Sequence, residues 1–565
     1  MEIVKEGTAK AVIVTAVNPT HISDFAAKEL QLYLKKITGA TIEIVKEGHE
    51  AKELPGDLNR IYVGKSEILR SLGLEFENLK SNEVRIKTGK GWVALYGKDY
   101  DGPDKVGWLH PGKGIHSYSD ELKMSKFGEK GTLYSVYRFL ENYCGVRWFM
   151  PGELGEVVPG KKTLIIGEID YRKFPDFEHR FFSAFTANDD RDAMLWYFRV
   201  GYGSVDVVEI NHTMWNFKDR FKNTHPEYFA LYDGQRNYSY VCLSEPGVFT
   251  QVVEDCENYI RECPHSNIIP VMPNDGFVKP CECPLCKPFD TPERGFGGRV
   301  SDYVWGFVNR VAEEIAKTHP DKLIGCCAYG GYLLPPEKIK KLNKNVVVML
   351  CRWPVYSWLP DSSRFSMAIN NETLKGWQEK CRNIYNWIYY DMRAWTPSQE
   401  YVPNDCPHNL ASDFKFLKGK SRGFNIEAET GHPDYPPWRW IHLGMSHLNA
   451  YVTAKCLWDA DLNVDELLAD YYEKFYGPAK DIMAGFFGRI EDIWMQENLE
   501  EPLNVEGENS LEKKVWEVLY PPEVMEELLS YLQEAKELTR DTIYGKRIDL
   551  LLFEYQQAYK ESLNH

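Results

Sequence analysis

PNDG, Pro273 to Gly276, follows directly on an apolar run, so Asn274 and Asp275 stand where an expected strand ends. An acid placed there can protonate a leaving oxygen, although Pro, Asn, Asp and Gly in this order also serve as an Asx turn closing a strand. Glu427 and Glu429 lie two apart in a strand-like run, so their side chains share one face, with Ile426 and Ala428 on the other. If that face meets Asp275 across a cavity, the sequence holds paired carboxylates flanking a cleft. One protonated acid and one charged partner are what glycosidic cleavage requires. Surface strand ends carry Glu as well, so the same pair is also compatible with a solvated edge. Asp391 is a third acid of this kind. His212 follows another apolar run, where it can grip a sugar hydroxyl or be a hydrogen-bonded structural residue.

Cys281, Cys283 and Cys286 form C-x-C-x2-C just beyond PNDG. Three thiolates this close suit a structural zinc or an iron–sulfur centre; a tetrahedral site needs a fourth ligand, for which Cys263, Cys256 and Cys242 are candidates. No His or carboxylate cluster joins them, which argues against a catalytic metal, and catalysis by carboxylates needs no cofactor. The sequence has no Walker loop, no G-x-G-x-x-G after a strand, no H-E-x-x-H and no G-x-S-x-G. Nucleotide-binding, zinc-protease and serine-hydrolase chemistry therefore lack their residues.

The elements that must carry these groups alternate. Eight strand-like runs begin at Glu178, Val205, Tyr240, Ile268, Leu323, Val346, Asn383 and Gly423, separated by helix-length segments. Eight such repeats over about 270 residues fit a (β/α)8 TIM barrel, and an open doubly wound sheet also alternates. Polar residues gather where the runs end: His212, Glu245, Asn274 and Asp275, Tyr329, Arg352 and Trp353, Asp391, Glu427 and Glu429. In a barrel those ends converge on one mouth. Trp353, Trp387 and Tyr390 would supply its stacking walls. HPEYFALYDGQR, from His225, reads as a β-hairpin turning at Asp-Gly over that mouth. Residues 1–170 read as a small α/β domain, 171–445 as the barrel, and 446–565 as a helical domain. In the first, a helix carries Ile22, Phe25, Ala26, Leu30, Tyr33 and Ile37 on one face and stops at Gly39.

Composition limits the partners. The formal net charge is −16, from 67 Lys plus Arg against 83 Asp plus Glu, and such a surface repels phosphate backbones and anionic lipid. Nucleic-acid and membrane partners are not expected. Aromatic residues make up 14% of the chain, with 16 Trp and 34 Tyr, and rings of this kind either fill cores or form flat platforms for sugars. No stretch reaches the roughly 18 apolar residues of a spanning helix. The amino terminus shows no basic region followed by an apolar block, which reads as cytoplasmic, or as secreted or periplasmic if a leader has been removed. Thirteen Cys, scattered and including the vicinal Cys326 and Cys327, fit reduced thiols.

Three stretches together resemble known sequences. GVRWFMPGELGEVVP, from Gly145, resembles the close of the α/β domain that precedes the barrel in α-glucuronidases and β-hexosaminidases. HPEYFALYDGQR with VCLSEP, then PNDG with CECPLC, resembles the bacterial domain-of-unknown-function family 4838, part of which is classed as glycoside hydrolase family 163. The segment from Ala450 to Ala479 is similar to that family's join between barrel and helical tail. The resemblance implies a retaining endo-β-N-acetylglucosaminidase acting on N-glycan oligosaccharides, or a relative acting on another β-linked amino sugar. In related barrels the substrate's own 2-acetamido oxygen attacks the anomeric carbon and forms an oxazoline. It further implies that Asn274 orients the acetamide while Asp275 protonates, or that Glu427 or Glu429 is the acid and Asp275 orients. Two other readings stand beside it: a catalytically silent glycan-binding protein, and an α-glucuronidase-like enzyme in which Arg352 would recognise the uronate.

Overall fold

In the computed structural model, the residues described are all except 49–55, 57, 101, 103–117, 183–189, 353–363, 391–401, 429–442, 496–514 and 565; the side chains of 364–368 and Tyr390 also lie outside the description. The amino-terminal part is built on six strands: β1 Ala11–Thr15, β2 Ile44–Lys46, β3 Asn59–Val63, β4 Val84–Gly89, β5 Trp92–Gly97 and β6 Asp170–Lys173, in the order β6-β4-β5-β3-β1-β2. The four strands from β5 to β2 run parallel, and β4 pairs antiparallel with both of its neighbours, β5 and β6. Every residue of β1 is buried because both faces of the sheet are covered. Helix α1 (His21–Thr38) buries Ile22, Ala26, Leu30, Tyr33 and Ile37 as its periodicity requires. The Thr20 side chain caps its first turn and Gly39, at φ 77°, ends it. Helix α2 (Gly131–Phe139) packs against α1 and the sheet.

A second sheet carries the chemistry-bearing ends. Its strands are β7 His179–Phe182, β8 Gly203–Ser204, β11 Ile268–Pro270, β12 Leu323–Ala328, β13 Val346–Cys351, β14 Asn383–Tyr390 and β15 Gly423–Ala428, in the order β8-β7-β15-β14-β13-β12-β11. Strands β9 (Phe229–Tyr232) and β10 (Gln235–Val241) form a separate hairpin. All neighbours from β11 round to β7 are parallel, and β8 pairs antiparallel with β7. Continuous apolar runs such as VVVMLC in β13 are buried throughout, as strands covered on both faces must be. Crossover helices include α3 (Ser301–Thr318) before β12, α4 (Arg364–Lys380) before β14 and α5 (Pro407–Leu417) before β15.

Six of the eight expected strands thus form in cyclic order, giving a curled half-barrel, and the other two do not join the described sheet. Residues 205–211, VDVVEIN, are buried from Val207 to Ile210 but lie beside β11 without a ladder. Their neighbourhood is held instead by Asn267 Nδ2 donating to Asp206 Oδ1 at 3.0 Å and Thr213 N to the Met272 carbonyl at 3.2 Å. Ile210 packs against Gly325, where a Cβ would stand 2.7 Å from Ile210 Cδ1. The run at Tyr240 ends β10 rather than a barrel strand. That hairpin turns at Asp233 and Gly234, with φ of 49° and 76°, the paired positive values of a type I′ turn.

The carboxyl-terminal part is helical: α6 Leu443–Trp458, α7 Val464–Tyr476, α8 Lys480–Trp494, α9 Pro522–Thr539 and α10 Ile543–Ser562. One contiguous apolar core runs from α1 through the second sheet into α10. Polar ties follow the same path. Arg547 on α10 donates to the carbonyls of Leu154 at 2.8 Å and Phe475 at 2.8 Å, and Lys455 on α6 pairs with Glu141 just beyond α2. No helix among the described residues is long and apolar enough to cross a membrane.

Candidate active site

Glu427 points from the carboxyl end of β15, and its Oε2 accepts a 2.9 Å hydrogen bond from the indole N–H of Trp387 on the neighbouring β14. The register places Trp387 opposite Asn425 and Tyr389 opposite Glu427, so these four side chains share one face. Burial raises the Glu427 pKa, the Trp387 donor opposes the rise, and the negative charge of Asp275 adds to it. Asp275 follows β11, four strand spacings from β15, which would separate their ends by about 19 Å in a flat sheet. That Glu427 feels its charge reflects the curl of the sheet, which brings the two acids to one mouth.

Asp275 is the open member of the pair, with 63% of its side chain exposed. Its Oδ1 accepts the Tyr329 hydroxyl at 3.1 Å and the Gly276 N–H at 2.8 Å. His212 Nε2 faces the same oxygen at 3.8 Å. The other ring nitrogen, Nδ1, is 2.5 Å from the Pro273 carbonyl; a carbonyl only accepts, so Nδ1 carries a hydrogen. Segment 205–214, which failed to become a strand, therefore still delivers His212 to the end of β11. Asn274 turns the other way: its amide donates to the Ser239 carbonyl of the hairpin at 2.6 Å, and its buried Oδ1 has no protein partner.

The remaining sequence candidates divide. Arg352 is 1% exposed and clamped by Asp413 of α5, Nη1 to Oδ2 at 2.6 Å and Nη2 to Oδ1 at 3.0 Å. Its guanidinium braces the end of β13 and is not presented to the mouth, contrary to the expectation that it could recognise a uronate. Trp353, Asp391 and Glu429 lie outside the described residues, as does the Tyr390 side chain. The sequence reading missed Asn425, 7% exposed on the Glu427 face, and Tyr389 opposite Glu427. Counting alternate positions outward from Glu427 and across to β14 would have found both, once the pairing was known.

The cysteines also sort themselves. All 13 are free thiols. Cys281, Cys283 and Cys286 gather with Cys242, the residue after β10, so that all four sulfurs lie within 4.8 Å of one another. Cys256 and Cys263, the other two candidates for the fourth position, do not join them.

Comparison with known proteins bears on this arrangement. No curated protein matches the chain. Among solved structures, a family GH115 4-O-methyl-α-glucuronidase with specificity for decorated arabinogalactans aligns with a TM-score of 0.53, at 11% identity, over 98% of this chain and 72% of its own. A family 89 glycoside hydrolase from Clostridium perfringens is similar at a TM-score of 0.44 and 11% identity, covering 96% of this chain and 62% of its own. A β-N-acetylhexosaminidase from Bacteroides fragilis scores 0.39 at 11% identity, over 86% and 93%. The fold is thus shared with a glycoside hydrolase. The family model described as Domain of unknown function (DUF4838) matches residues 150–487, which contain His212, Asp275, Tyr329, Trp387 and Glu427. That match covers more than half of the 565 residues, and the chain belongs to this family.

Proposed function

We propose that the protein is a glycoside hydrolase that cleaves β-linked N-acetylhexosamine in oligosaccharides, with retention and assistance from the substrate's acetamide. The observation that carries the reading is the unequal pair at the mouth: Glu427, half-buried and raised in pKa, against Asp275, exposed and hydrogen-bonded by Tyr329. Environments that push two carboxyl groups apart divide acid from charged partner. In this reading Glu427 gives its proton to the glycosidic oxygen as the C–O bond breaks. The acetamido oxygen then bonds to the anomeric carbon, and the Asp275 carboxylate accepts the acetamide N–H as positive charge develops there. Water opens the oxazoline and returns a proton to Glu427. Asn274, whose amide is held by Ser239, acts as a positioning residue for the loop rather than as the group that orients the acetamide. Residues 171–445 would be the catalytic (β/α)8 barrel, with 205–214 standing in for its second strand, between an α/β domain (1–170) and a helical domain (446–565).

The test is incubation with N-acetyl-β-glucosaminides, a complex N-glycan and, as a control, an α-glucuronide. Release from the amino sugars is expected, and Glu427→Gln and Asp275→Asn should each lower kcat by about 10²- to 10⁴-fold while the fold is retained. Oligosaccharide bound without release would leave a silent glycan-binding protein. Cleavage of the uronide alone would replace the amino-sugar assignment, and it would then need a cation other than Arg352.

A further inference from the structure

We infer that Cys242, Cys281, Cys283 and Cys286 bind one Zn²⁺ in a closed four-thiolate site that staples the Asp275 loop to the β9–β10 hairpin. Around a tetrahedral zinc with Zn–S bonds of about 2.3 Å, sulfur atoms stand about 3.8 Å apart. Cys242 Sγ lies 3.4 Å from Cys286 Sγ and 3.9 Å from Cys283 Sγ. These separations are too long for disulfides, whose S–S bond is about 2.05 Å. They need only small adjustments to close on an ion. Backbone N–H groups already serve the sulfurs as they would serve thiolates, with Leu231 N 3.2 Å and Cys283 N 3.4 Å from Cys281 Sγ. The Tyr303 hydroxyl of α3 is 2.9 Å from Cys286 Sγ. Four sulfurs leave no open coordination position, so the ion holds structure and does no chemistry.

The place of the site gives it its task. The chain from Asn274 to Cys286 crosses the hairpin twice: Asn274 bonds Ser239 near one end, and Glu282 N donates to the Leu231 carbonyl at 2.8 Å near the other. Between these crossings Tyr232 Oη donates to the Lys279 carbonyl at 2.9 Å. Asp233 N donates to Glu282 Oε2 at 2.7 Å, and the Tyr240 and Phe277 rings meet edge to face, so the crossing is already tied at the hairpin turn and along β10. An ion joining position 242 to positions 281–286 would close it at the end of β10 as well. Zinc would thus fix the chain leaving Asp275, eleven residues before Cys286. The inference does not depend on which bond the protein cleaves.

Metal analysis of the purified chain tests it. About one zinc per chain is expected, retained in Cys256→Ser and Cys263→Ser and lost from Cys242→Ser and Cys283→Ser after dialysis. Since the latter variants can fail to fold, cobalt exchange into the unaltered protein supplies a second readout: one Co²⁺ per chain with the charge-transfer and d–d bands of a tetrahedral four-thiolate site. Hydrogen exchange in 229–241 and 274–286 should quicken at least about tenfold on metal removal. A metal-free chain whose four thiols react freely would overturn the site. Bound iron would overturn its assignment to zinc, and unchanged exchange on metal removal would overturn the staple.

Discussion

Two neighbours act on Glu427 in opposite senses, and that makes its role open to measurement. The Trp387 indole donates to the charged form and so lowers the pKa, whereas Asp275's charge disfavours that form and raises it. An acid that must be protonated loses activity as pH rises through its pKa, so Glu427 should set the alkaline limb of kcat/KM. Trp387→Phe removes the donor and should move that limb to higher pH. In the residual activity of Asp275→Asn, where the negative charge is gone, the limb should move to lower pH. A pH–rate profile of each variant decides, and shifts in the same direction would remove Glu427 from the role of acid.

Elements, not single residues, explain why Arg352 is absent from the mouth. Helix α5 presents Asp413 to the guanidinium, and a rigid fork between two carboxylate oxygens holds strand end and helix together. Both partners are buried, the Asp413 side chain being 6% exposed, so the pair exists in a medium that punishes its loss. Asp413→Asn should therefore lower the unfolding free energy by about 3–5 kcal/mol, read from chemical denaturation. A change under about 1 kcal/mol would show that water reaches the pair and that Arg352 is available to ligands after all. The β9–β10 hairpin is the converse case: its type I′ turn is written in two adjacent residues and needs no helix to specify it.

At the scale of the whole molecule, the contiguous core and the ties across it predict that the described parts unfold together. Glu141, beyond α2, meets Lys455 of α6 and Arg138 in a buried cluster. Burial pushes its pKa up, but the charges of Lys455, Arg138 and Arg147 outweigh that and hold it at about 2. A carboxyl group depressed in the folded state contributes stability above its unfolded pKa, near 4.5, and loses it as pH falls toward 2. Glu141→Gln should cost about 3–5 kcal/mol at neutral pH and flatten the loss of stability below pH 4.5. Tryptophan fluorescence and far-ultraviolet circular dichroism followed through urea unfolding would check this. Their curves should coincide, and a separate early transition would mean that the amino-terminal sheet unfolds alone.

What the sequence determined by itself is whatever rests on neighbours along the chain. The apolar runs at Leu323 and Val346 became buried strands because a continuous run leaves no polar face to expose. Alternation put Glu427 and Ile426 on opposite faces, and Asp233-Gly234 made the hairpin because those residues tolerate positive φ. The run at Val205 shows the limit: Val207, Val208 and Ile210 are buried as in a strand, but a ladder depends on what stands beside them. The same holds for Cys242, whose partners lie about forty residues on, and for Arg352, whose carboxylate belongs to a helix after the next strand. Only the tertiary structure decided that the Glu427 carboxyl is raised in pKa while Asp275 stays open, because burial, charge and pairing act through space between residues that the chain keeps far apart.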